Sequence, residues 1–104
     1  MIILTTGYVP GKEITKSFGM VKGNTIRARH IGKDIVAGLK NIFGGEIEEY
    51  TKLMAESREQ ALDRMTREAK ELGANAIVNC NFSTSYIMQN AAEILVYGTA
   101  VYAE

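Results

Sequence analysis

The 104-residue chain is 46% hydrophobic and 23% charged, the proportions of one ordinary globular domain with a modest core. Twelve Lys and Arg balance twelve Asp and Glu, which excludes bulk electrostatic attraction to nucleic acid or to an anionic membrane. The only cysteine is Cys80, which excludes an internal disulfide and a Cys-x-x-Cys metal knuckle within one subunit.

Met1 to Thr6 has no basic n-region, and its apolar run is too short for a signal peptide or a membrane span. The expected location is therefore the cytoplasm. Ile2 to Thr6 reads as a short strand, followed by a turn over Gly7-Tyr8-Val9-Pro10-Gly11. A second strand is expected from Ile14 to Ile26, with Ile14, Phe18 and Met20 on one face; Gly19 and Gly23-Asn24 suggest a bulge or bend. Ile31, Ile35, Leu39 and Ile42 have the spacing of a short amphipathic helix, and Gly44-Gly45 stops it.

A long helix is expected from Glu46 to Leu72. Ile47, Tyr50, Met54, Ala61, Met65, Ala69 and Leu72 form its apolar stripe, Leu53 and Leu62 widen it, and Ser57 is the one polar gap. Glu48, Lys52, Glu56, Glu59, Asp63, Arg67, Lys70 and Glu71 make the solvated face. At ~1.5 Å per residue the helix would reach roughly 40 Å, long for a domain of this size. Gly73 should stop it at the C′ position with a positive φ.

Ala76 to Tyr86 alternates as a strand, with Ala76, Val78, Cys80, Phe82 and Tyr86 expected on one face and the Asn and Ser residues on the other. Met88-Gln89-Asn90 reads as a hairpin loop before a last strand from Glu93 to Ala103. That strand is apolar on both faces: Ile94, Val96, Ala100 and Tyr102 on one, Leu95, Tyr97 and Val101 on the other. The pattern predicts an α+β fold, a two-layer sandwich in the order β-β-α-α-β-β with a four-stranded, mainly antiparallel sheet. Two helices on one side of such a sheet leave its other face bare, and a second subunit is the economical cover.

The charges are unevenly placed. Residues 1–45 hold seven Lys and Arg against Glu13 and Asp34, while residues 46–72 hold eight acids against five bases. A basic patch for an anion and mutual neutralisation of the two halves are both open readings, and the lack of interleaved aromatics favours neutralisation. No phosphate-binding glycine loop and no Ser-His-Asp or Cys-His spacing is present, so no enzyme is expected. Three residues are candidate metal ligands: Cys80, the lone His30, and Glu46 in the first turn of the long helix. Each has a plain structural alternative, as core hydrophobe, capping residue and helix-dipole partner respectively.

Gly44-Gly45-Glu46-Ile47 with Tyr50-Thr51, then Ala61-Leu62-x-Arg64-Met65, Leu72-Gly73-Ala74-Asn75-Ala76-Ile77-Val78 and Tyr97-Gly98-Thr99-Ala100-Val101, resemble the YbjQ family, also called UPF0145. The likeness covers essentially the whole chain, including Gly19-x-Val21-x-Gly23 and Arg29. The resemblance implies a small dodecin-like α+β subunit, assembly as a homopentamer, and a heavy-metal-binding role without a matched ligand set. The expectation is thus a ring-forming, non-enzymatic binding protein for a heavy-metal ion or other cation, a divalent heavy-metal ion being the candidate cofactor. The alternative is an oligomeric scaffold or interaction module with no small ligand.

Overall fold

The structure is a computed structural model in which residues 1–28, 48–88 and 91–104 are described. Strands β1 (Ile2–Ile3), β2 (Ile14–Ala28), β3 (Ala76–Met88) and β4 (Ala91–Ala103) form one sheet in the order β1-β3-β4-β2, and helix α1 (Glu48–Leu72) packs on it. The class is α+β as expected. The sheet is mixed, since β1 runs parallel to β3 while β3-β4 and β4-β2 are antiparallel. The expected helix over 31–43, the double glycine and the start of the long helix at Glu46 lie outside the described residues.

Helix α1 is continuous for 25 residues, because the run contains neither glycine nor proline and is rich in Glu, Lys, Arg, Ala, Leu and Met. Its end is a Schellman cap. Gly73 N–H donates to the Lys70 carbonyl at 3.0 Å and Ala74 N–H to the Ala69 carbonyl at 3.1 Å, with Gly73 at φ +94°, as its position predicted. Ser57, Ala61, Met65 and Ala69 form the fully buried ridge at spacing four. Leu72, expected on that stripe, is 45% exposed beyond the end of the ridge.

The ridge is small because the helix sits directly on the β2 backbone. A Cβ on Gly23 would lie 2.1 Å from the Ala61 carbonyl oxygen and 2.6 Å from the Met65 nitrogen. Gly23 is therefore a point of close approach and not a bend, and β2 pairs regularly with β4 from Gly19 to Ala28. Gly19, at φ +90°, accompanies a shift of register between Ser17 and Gly19. One consequence corrects the sequence reading: Phe18 packs toward the helix-side core, whereas Met20, paired with Thr99 on the far face, is 66% exposed.

Strand β3 has a similar irregularity. Its register with β4 shifts between Val78 and Asn81, and Asn79 takes φ +52°, a left-handed conformation that Asn tolerates better than most residues. The extra residue reverses the alternation. Ala76 and Val78 face a small cluster with Val9, Val101 and Ala103, while Ile77 and Cys80 join the helix-side core with Val21, Met65, Val96 and Ala100. The five residues expected on one face are thus divided at the bulge.

β1 is shorter than expected, ending at Ile3, but the chain follows β3 further. Leu4 N–H donates to the Ile77 carbonyl, and the carbonyls of Leu4 and Thr6 accept from Cys80 and Asn79. This segment carries Leu4 and Val9 under the far face at one end of the sheet. It covers the far face of β3 and β4 there, while Met20 on β2 stays exposed. At the other end, where β4 residues 91–97 pair with β2 and β3, the far face exposes Ile26 and Tyr97. The radius of gyration is 17.3 Å, against about 13 Å for a compact chain of this length.

Gly23→Ala forces the helix away from β2, and overpacking of this kind costs about 1–3 kcal/mol or more. The expected result is a Tm lower by roughly 10 °C, read by circular dichroism; a Tm within about 2 °C of the unsubstituted chain would mean the contact relaxes freely.

Candidate functional site

Polar side chains gather where α1 crosses β2. Thr25 and Ser57 are both buried. Thr25 Oγ1 donates to the Ser57 carbonyl at 3.2 Å, and Ser57 Oγ donates to the Leu53 carbonyl at 2.9 Å. Arg27 Nε donates to Ser57 Oγ at 2.8 Å, and Arg27 Nη2 to Gln60 Oε1. Arg64 Nη1 donates to the Asn24 carbonyl; on the far face, outside this network, Asn24 Nδ2 donates across the strands to Glu93 Oε2 at 3.1 Å. Among the described residues no buried side-chain polar atom lacks a partner.

This network clamps the helix to the sheet. Ser57 has its proton on a backbone carbonyl and accepts from a guanidinium that cannot take a proton, so it has no general base and is not an activated nucleophile. The sequence reading treated Ser57 as a gap in an apolar stripe and did not connect it with Arg27. A small hydroxyl on a core-facing ridge does demand a partner, but nothing in the spacing says that the partner comes from thirty residues upstream.

Of the three candidate ligands only Cys80 is among the described residues. His30 and Glu46 lie outside the described residues. Cys80 is 4% exposed in the helix-side core among apolar neighbours, and burial raises its thiol pKa from the ordinary 9.0. A thiol kept protonated in hydrocarbon is a poor soft-metal ligand, since the thiolate is the binding form. Among the described residues no three His, Cys, Asp or Glu side chains converge. The described residues therefore do not fit a heavy-metal centre within one subunit.

The YbjQ family model, described as "Putative heavy-metal-binding", matches residues 1–104. The chain belongs to this family. It is 61% identical over 104 residues to a UPF0145 protein of Dehalococcoides mccartyi, covering all of both chains. It is 59% identical over 101 residues to a UPF0145 protein of Archaeoglobus fulgidus, covering 97% of this chain and 94% of that one. Among solved structures, a DUF74-family protein of unknown function from Pediococcus pentosaceus superposes with a TM-score of 0.69. At 16% identity, covering all of this chain and 98% of that one, the likeness establishes the shared fold. No helix among the described residues is long and apolar enough to cross a membrane.

Burial of Cys80 makes two linked expectations. Native protein should react with Ellman's reagent at least about a hundredfold more slowly than protein unfolded in guanidinium, because only the open state exposes the thiol. The raised folded pKa means stability is fully present below the unfolded value and declines as pH rises above about 9, where the unfolded chain releases a proton that the folded chain retains. Rapid, stoichiometric labelling of the native protein would contradict the buried placement.

Proposed function

We propose that this YbjQ-family protein is one subunit of a homo-oligomeric ring, a pentamer for preference, that acts by binding and not by catalysis. The observation that supports this reading is the half-covered sheet. At one end Leu4 and Val9 cover part of the far face; at the other, Ile26 and Tyr97 on the far face and Phe82 and Tyr86 on the helix side are exposed, apolar side chains that a neighbouring subunit would cover. The non-catalytic reading is supported by Ser57, whose hydroxyl is bonded to a carbonyl and a guanidinium, and by Cys80, set among apolar side chains. A free thiol with no disulfide suits the reducing cytoplasm, where we place the protein.

Size-exclusion chromatography with light scattering should give a mass several times the 11.4 kDa of one chain, five times for a pentamer. A clean monomer at micromolar concentration would remove this reading.

The family description supports a divalent heavy-metal ion as the ligand. Since the described residues of one subunit do not fit such a centre, the ion would be held by symmetry-related copies of a residue such as His30 or Glu46, with fewer than one ion per chain. Calorimetric titration with zinc, copper and cadmium should show affinity no tighter than about micromolar, unchanged by Cys80→Ala and weakened by His30→Ala. One tightly bound ion per chain that survives both substitutions would contradict this assignment. No heat with any ion would favour the scaffold without a small ligand.

A further inference from the structure

We draw no further inference here: the strongest candidate, the exposed patch of Met20, Lys22, Ile26 and Tyr97 on the far face of β2 and β4, carries nothing because no observation in the structure shows what covers it.

Discussion

The contact between Gly23 and the Ala61–Met65 turn of α1 governs the rest of the structure. Only a strand residue without a Cβ allows helix backbone to rest on strand backbone, and only a ridge of small residues, Ser57, Ala61 and Ala69 around Met65, fits so narrow a gap. The contact fixes the helix over β2, an edge strand, and not over the middle of the sheet. Among the described residues, what is left bare on the helix side of β3 follows from that displacement.

The polar clamp reinforces the same seat. Arg27 and Thr25 on β2 meet Ser57 and Gln60 on α1, so the helix is held in angle as well as in distance. Ser57 is buried and Arg27 only half-buried, and a buried hydroxyl is tolerated only when it is hydrogen-bonded. The cost of burying Ser57 in an apolar ridge is offset by two hydrogen bonds through one hydroxyl.

The long helix, its C-terminal glycine cap, the two-faced last strand and the α+β class were legible in the sequence because each follows from local spacing and local backbone preference. Residue faces on β2 and β3 were not. One extra residue at Gly19 or at Asn79 reverses all the alternation beyond it, and a bulge is decided by pairing with β4, which a single strand's pattern does not contain. Gly23-Asn24 suggests a bulge or bend because a glycine in a strand signals these as readily as a close approach, and the helix that approaches Gly23 lies about forty residues downstream. Of the candidate ligands, Cys80 shows the same effect: its burial was correctly anticipated, but it came to the helix-side core through the bulge and not through the expected alternation.

A small sheet with one helix can protect its two faces only where other chain is available to cover them. In this chain the Leu4–Val9 segment covers part of the far face at one end, and the helix covers one strand and part of another on the near side. Among the described residues nothing else packs on the helix side of β3 beyond the bulge, where Phe82 and Tyr86 are exposed, and in the proposed ring a neighbouring copy would cover it. Symmetric assembly resolves a second shortage as well. One histidine and one cysteine per chain cannot supply a closed set of soft ligands, yet a ring multiplies each residue by the number of its subunits. The same incompleteness of the single chain thus underlies both the proposed ring and any ligand site built on its axis.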